Sequence, residues 1–154
     1  MKARTMLVTL ALCFVGTRCF AADDPQMGTW KLNEAKSKIA AGSPKNNTVV
    51  YAADGDNVKV TVDGTDADGK SIHNEWTGKF DGKDYPVTGD PSQDTRSYEK
   101  VNDHTMAMTV KKDGKVMTSG RIAVAADGKS RTVTTTRTDA KGKKSKSTAV
   151  YDKS

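Results

Sequence analysis

Gly28-Thr29-Trp30-Lys31-Leu32 decides the fold of this chain, because it opens a long series of short strand patterns rich in Thr and Val. A tryptophan at the end of a small β-barrel usually closes that end, since its indole fills a cross-section that no aliphatic side chain covers. We therefore expect Trp30 to plug one end of a barrel.

Ten strand patterns follow one another along the chain, at about residues 27–32, 47–53, 57–63, 70–80, 83–88, 94–101, 104–112, 115–125, 129–139 and 143–152. Asp-Gly dipeptides separate many of them and favour tight hairpins, because both residues tolerate positive φ. Closing such an antiparallel meander removes its two exposed edges. The sequence predicts an all-β, up-and-down barrel of about eight to ten strands, in preference to an open sheet or a sandwich. It allows at most one short helix after the first strand, within 33–41.

The beginning of the chain has the pattern of an export signal. Two basic residues precede an apolar run from Met6 to Val15, and small residues stand around Ala21. We expect cleavage after Ala21, with a signal peptide at residues 1–21 and one β-barrel domain at 22–154, periplasmic or secreted. Later apolar runs fall short of the roughly 20 residues needed to cross a bilayer, so no integral membrane association is expected.

Composition excludes several functions. Cys13 and Cys19 both lie in the predicted leader, so the mature chain would have no disulfide, thiolate nucleophile or cysteine metal site. The formal net charge of +6 falls when the leader leaves, and the remaining charges alternate in sign, which does not indicate nucleic-acid binding. A basic cluster at 141–146 is interpreted as a solvated hairpin tip, with a patch for anionic lipid or polysaccharide as the alternative.

Period-two alternation assigns the faces of the strands. The residues predicted to point inward are Val58, Val60, Val62, Ile72, Asn74, Trp76, Gly78, Phe80, Met106, Met108, Val110, Val116, Thr118, Gly120, Ile122 and Val124. Beyond the predicted leader there is one Leu, Leu32, and one Phe, Phe80, so the interior has little apolar volume. The sequence does not favour a roomy cavity for a long lipid.

The opening Gly28-Thr29-Trp30-Lys31-Leu32, the meander and the closing stretch Ser147–Lys153 together resemble the calycin superfamily of lipocalins and fatty-acid-binding proteins. The chain is most similar to uncharacterised lipocalin-like proteins exported by bacteria. The resemblance implies a lipocalin-like barrel that binds a small hydrophobic molecule, with Trp30 at the closed end. It also matches Tyr151 to the last-strand tyrosine that helps to hold a ligand carboxylate.

Two features depart from that pattern. Ala149 stands where fatty-acid-binding proteins place the partner arginine, and the segment after the first strand is too short for their helix-turn-helix lid. An arginine could come from elsewhere, because Arg131 and Arg137 share a strand face with Val133 and Thr135, and Arg121 and Arg96 lie on other strands. A plain surface arginine is the expectation for each of the four, with cation–π capping of Trp30 by one of them as the alternative.

Motifs for metal binding and catalysis are weak. Residues 64–75 partly match a calcium loop, but Gly64 stands at the first ligand position, where a carboxylate is required, and the flanks are strand patterns. A hairpin turn is therefore expected. His73 and His104 are far apart, and His73 is predicted to point outward. No nucleophile motif is recognisable. We expect no catalytic activity, no metal and no cofactor.

Two functions remain open. The first is an exported monomer that binds a small, moderately apolar molecule, held by Trp76, Tyr98, Met106, Met108, Ile122, Val124 and Tyr151. The alternative is a non-catalytic structural or interaction module with a solidly packed barrel. Pro86 interrupts a predicted strand, and two interpretations of this segment remain open: a portal lined by Tyr85 and Tyr98, or a seam of the barrel. Cavity volume separates the two functions, because a ligand pocket needs about a few hundred Å³.

Overall fold

Ten antiparallel strands, joined in chain order, form the wall of a closed barrel in the computed structural model, which describes residues 24–154. The strands are β1 (Gly28–Leu32), β2 (Lys45–Asp54), β3 (Asn57–Thr65), β4 (Ser71–Gly78), β5 (Tyr85–Thr88), β6 (Thr95–Lys100), β7 (Thr105–Lys112), β8 (Lys115–Val124), β9 (Ser130–Thr138) and β10 (Lys144–Lys153). The predicted all-β meander is confirmed. The predicted leader and its cleavage after Ala21 lie outside the described residues.

The first strand closes the barrel because it pairs on both sides. Trp30 lies opposite Val49 of β2 on one side and opposite Lys153 of β10 on the other. Every other strand pairs with its neighbours in sequence, so the sheet has no free edge within residues 24–154. A closed wall of this kind gives the side chains one interior to fill.

A single 3₁₀ turn, Glu34–Lys36, is the only helical segment of residues 24–154. It begins after Asn33, whose side chain accepts a hydrogen bond from the backbone N–H of Lys36 at 3.2 Å. The expected short helix after the first strand is therefore confirmed. No helix of the described chain has the length and apolar character to span a membrane.

Side-chain capping shapes the tight turns between strands. In the β3–β4 turn, Asp66 Oδ1 accepts from the backbone N–H groups of Asp68 and Lys70, both at 2.9 Å. Gly69 completes this turn at φ +81°, a conformation that L side chains rarely adopt. The segment predicted to be a hairpin rather than a calcium loop is a hairpin.

The sheet has its fewest paired positions at β5. This four-residue strand pairs at two positions with β4 and at two with β6. Tyr85 packs its ring edge-on against Trp76 with centroids 5.6 Å apart, and Tyr98 is buried in the core. The segment around Pro86 is thus a seam of the barrel, and Tyr85 is not among the residues that line the internal cavity.

One predicted face is wrong, and a β-bulge is the reason. Val116 was expected to point inward, but it is 50% exposed, whereas its neighbour Met117 lines the interior. The register between β7 and β8 shifts here, since Val110 pairs with Thr118 while Lys111 pairs with Val116. The extra residue reverses the alternation at the start of β8, and the expected faces resume at Thr118.

The segment before β1 covers one end of the barrel. Trp30 is completely buried there, and its indole N–H donates to the backbone oxygen of Gln26 at 2.8 Å. Gln26 is itself buried and approaches the backbone oxygen of His104 at 3.4 Å. Asp24 accepts from the backbone N–H of Gln26, which fixes the turn that leads into β1. This end is the closed end of the barrel.

Candidate functional site

An internal cavity of about 180 Å³ lies above the closed end. Its walls combine apolar side chains with hydroxyl, amide and guanidinium groups from most of the strands, namely Val49, Tyr51, Val62, Ile72, Asn74, Arg96, Tyr98, Met108, Val110, Met117, Thr118, Ile122, Arg131, Val133, Thr135, Arg137, Ser147, Ala149 and Tyr151. Ligand pockets for drug-sized molecules occupy about 300–1,000 Å³. At about 180 Å³ the cavity is below the few hundred Å³ expected of a ligand pocket, so it has room only for a molecule smaller than a drug-sized one.

Two connecting segments border the mouth of the cavity. The segment between the 3₁₀ turn and β2 contributes Ile39, Ser43 and Pro44, and the β5–β6 loop contributes Asp90 and Gln93. The first segment is anchored to β10, where Lys38 pairs with Thr148 through backbone hydrogen bonds of 2.7 and 2.8 Å. This short segment agrees with the prediction that the chain has no room here for a helix-turn-helix lid.

The residues predicted to contact a ligand divide into two groups. Tyr98, Met108, Ile122 and Tyr151 line the cavity. Trp76, Met106 and Val124 are buried but do not line it, since they belong to the packed core nearer the closed end. Ligand contact by the first group remains a prediction, and the second group could contact a ligand only if the ligand reached below the cavity.

The lower core is built from aromatic rings. Trp76 lies 4.8 Å from Tyr98 between ring centroids, at an interplanar angle of 83°, and 6.4 Å from Phe80. The indole N–H of Trp76 donates to the backbone oxygen of Arg96 at 2.8 Å. Edge-to-face packing of this kind stabilises beyond area burial. These rings form a solid layer beneath the cavity.

Arg131 is the most unusual residue of the cavity wall. It is only 2% exposed, and its guanidinium carbon lies 4.8, 4.9 and 5.0 Å from the ring centroids of Trp30, Tyr51 and Tyr151. The expectation of a plain surface arginine is therefore wrong for Arg131, and the alternative, cation–π capping of Trp30, is the arrangement observed. Lys153 also approaches Trp30, with its Nζ 5.1 Å from the centroid.

Arg96 is the second buried arginine, at 5% exposure. Its Nη2 donates to Gln93 Oε1 at 2.7 Å and to Asn74 Oδ1 at 3.0 Å, and its Nη1 donates to the Tyr98 hydroxyl at 3.3 Å. All three acceptors are uncharged. They fix the orientation of the guanidinium. Burial opposes ionisation of the Asp90 carboxyl, which accepts from Gln93 Nε2, but hydrogen bonds together with the positive charge of Arg96 lower its pKa.

The tyrosine hydroxyls of the cavity are held in the neutral form. Burial raises the pKa of Tyr151 to about 12, although the charge of Arg131 acts in the opposite direction. Burial, together with the neighbouring Tyr98, also raises the pKa of Tyr51 well above its usual range. Both phenols therefore keep their protons at neutral pH and can donate hydrogen bonds.

Two solved structures have similar folds. A redesigned β-barrel, mFAP1, bound to DFHBI, has a TM-score of 0.49 and 16% identity, and the match covers 86% of this chain and 99% of that one. The structure of EF1p2_mFAP2b bound to DFHBI also has a TM-score of 0.49, with 9% identity, and the match covers 87% of this chain and 98% of that one. No family model and no curated protein matches the sequence. At these values the two barrels show nothing about what this chain binds.

The sequence grouped Arg131 with Val133 on one strand face but determined neither that this face points inward nor what surrounds it. Period-two alternation places Arg131 on the face of Val133, and by the same rule Arg96 shares the face of Tyr98. Alternation could not show that Tyr51 would lie beside Arg131, because the two residues come from distant strands. The contribution of Gln26 to the closed end was also missed, since nothing in its local pattern distinguishes it.

The two histidines lie outside the cavity. His73 points outward as predicted, with Nδ1 2.6 Å from Asp63 Oδ1 and Nε2 3.8 Å from Glu75 Oε1. His104 is exposed in the β6–β7 turn. Among residues 24–154, no group of three or more His, Cys, Asp or Glu side chains is arranged to hold a metal ion.

His73 is expected to titrate above its ordinary pKa of about 6.5. Its hydrogen bond to the Asp63 carboxylate raises the pKa, and the Glu75 carboxylate adds to the shift. The protonated pair therefore stabilises the fold below about pH 6.5, and this contribution is lost as pH rises through the raised folded-state pKa. NMR titration of the His73 ring in the wild type and in Asp63→Asn checks this. An unchanged pKa in Asp63→Asn would contradict the assigned cause.

Proposed function

We propose that this chain is an exported, non-catalytic binding protein, periplasmic or secreted, that holds a small molecule inside its barrel and acts as a monomer. The observation that carries the proposal is the cavity of about 180 Å³, lined by both apolar and hydrogen-bonding side chains. Cavities with apolar walls and a few polar groups are the usual form of small-molecule sites. Export rests on the leader pattern at residues 1–21.

The cavity wall suits a compact, moderately apolar ligand. Met108, Ile122 and Val133 supply apolar contacts, and methionine adapts its shape to irregular ligands. Tyr98 and Tyr151 supply hydroxyl groups at the same cavity. The small volume excludes a long lipid chain lying wholly inside the barrel.

The alternative function is a structural or interaction module, and one observation favours it. The hairpin between β9 and β10 carries four exposed lysines, at 141, 143, 144 and 146, and none of them forms an ion pair with another described residue. Such a tip could contact an anionic macromolecule. The cavity is smaller than the few hundred Å³ expected of a ligand pocket, so it is the mixed apolar and hydrogen-bonding lining that favours small-molecule binding over this alternative.

Native mass spectrometry of the protein purified from its own host tests the proposal. Val133 lines the cavity, whereas the adjacent Thr134 is exposed on the outside of the same strand. We expect the wild type and Thr134→Trp to carry a small bound molecule, and Val133→Trp to have lost it, because the indole fills the cavity. Affinity of Val133→Trp for the recovered molecule should fall at least tenfold in calorimetry.

Two results would contradict this function. One is the absence of a bound small molecule from all three proteins, combined with no calorimetric binding of compact neutral or charged probes to the wild type. The other is equal occupancy of Val133→Trp and Thr134→Trp, provided that thermal unfolding shows both to be folded.

A further inference from the structure

The cavity faces an excess of positive charge. Arg96, Arg131 and Arg137 line it, and Asp90 is the single carboxylate in its wall. Asp90 accepts hydrogen bonds from Ser92 and from Gln93 Nε2 at 2.6 Å each, so its oxygens are already engaged at the mouth. Three cations against one acid make the interior a site for negative charge.

Arg131 has no anionic partner within the described chain. No Asp or Glu carboxylate of residues 24–154 lies within 4.0 Å of its guanidinium, and neither Nε nor Nη1 finds a hydrogen-bond acceptor there. A buried charge is normally paired and hydrogen-bonded, because removing it from water costs several kcal/mol. Three aromatic faces attract the cation but cannot neutralise it.

Two neighbouring tyrosines, Tyr98 and Tyr51, lie between Arg96 and Arg131. Arg96 donates to the Tyr98 hydroxyl, the rings of Tyr98 and Tyr51 are 6.0 Å apart, and Tyr51 lies under the Arg131 guanidinium at 4.9 Å. Guanidinium groups and neutral phenols are all hydrogen-bond donors to an anion. An acidic group beside Arg131 would have the guanidinium and the phenols of Tyr51 and Tyr151 close by as donors.

We propose that the ligand is a small carboxylate with a compact apolar body, its carboxylate beside Arg131 and its body against Met108, Ile122 and Val133. This inference rests on the proposed function and names the ligand class. The guanidinium fork matches the planar carboxylate, and the apolar wall disfavours a fully hydrated inorganic anion. The charge of this anion site comes from Arg131 on β9, with no contribution from the last-strand position of Ala149.

Calorimetric titration with matched acid and amide probes tests the ligand class. Benzoate and hexanoate are compared with benzamide and hexanamide, which have nearly the same shape without the charge, and with inorganic phosphate. We expect at least one carboxylate to bind the wild type at least tenfold more tightly than its amide, and phosphate to bind more weakly than that carboxylate. Because this comparison uses the wild type, it does not depend on any variant folding.

Substitution then locates the site. Arg131→Met should weaken the bound carboxylate at least tenfold and leave the amide unchanged. Arg121→Met removes the same charge from the exposed face of β8 and should change neither affinity. Thermal unfolding of each variant confirms that it is folded.

Three results would overturn the proposal. Amides that bind as tightly as their acids, or an Arg131→Met variant that is folded and binds carboxylate normally, would overturn the ligand class while leaving small-molecule binding in the cavity intact. Phosphate binding tighter than both carboxylates would replace the class with an inorganic anion. If no probe binds and no molecule co-purifies, the proposed function fails as well.

Discussion

Trp30→Ala is expected to lower the free energy of unfolding by about 3–5 kcal/mol, the usual cost of truncating a buried Trp. Trp30 is completely buried at the closed end, donates to Gln26 at 2.8 Å, and supports Arg131 at 4.8 Å. Removing the indole leaves a cavity and takes one of three aromatic faces from a buried cation. Urea unfolding followed by circular dichroism measures the loss.

Two variants serve as controls for Trp30→Ala. Trp30→Phe keeps an aromatic face but removes the N–H donor, so a smaller loss of about 1–2 kcal/mol is expected. Val116→Ala lies on the exposed side of β8, where changes are usually within about 0.5 kcal/mol. A Trp30→Ala loss no larger than that of Val116→Ala would show that Trp30 does not hold the closed end together.

Trp76→Ala is expected to cost a similar amount, about 3–5 kcal/mol, and to leave ligand affinity per folded molecule within about threefold. Trp76 is 1% exposed, contacts Phe80, Tyr85 and Tyr98, and does not line the cavity. The variant therefore separates packing from ligand contact. Unfolding in urea and calorimetry with the bound molecule measure the two effects.

Met108→Ala is the matched comparison for Trp76→Ala. Met108 lines the cavity and is only partly buried, so its truncation should weaken ligand binding more than it destabilises the fold. If Trp76→Ala instead abolished ligand binding and left stability unchanged, Trp76 would be a ligand contact and not a packing residue below the cavity.

Local rules were sufficient for most of the fold. The pattern of Val58, Val60 and Val62 determined one buried face, since period-two alternation depends only on the pleat of a single strand. The turn at Asp66 followed from Asp-Gly chemistry within five residues. Period-two alternation failed at Val116 because a bulge depends on the register between two strands, and the pattern of one strand does not contain that register.

The candidate site was predicted only in part, and the reason is geometric. Alternation identifies which side chains point inward but not their height in the barrel, so Trp76 and Met108 received the same prediction. Strand register places Trp76 in the lower aromatic layer and Met108 at the cavity. Height follows from pairing across strands, which no single stretch of sequence contains.

By itself, the sequence determined the strands, the turns, most of the inward faces and the presence of an arginine that could cap Trp30. Tertiary structure alone decided that Arg131 of β9 is surrounded by aromatic rings from β1, β2 and β10, with no carboxylate among residues 24–154 within 4.0 Å. Closure of the barrel brings those distant strands together. A charge becomes significant through its burial and its partners, and both depend on that closure.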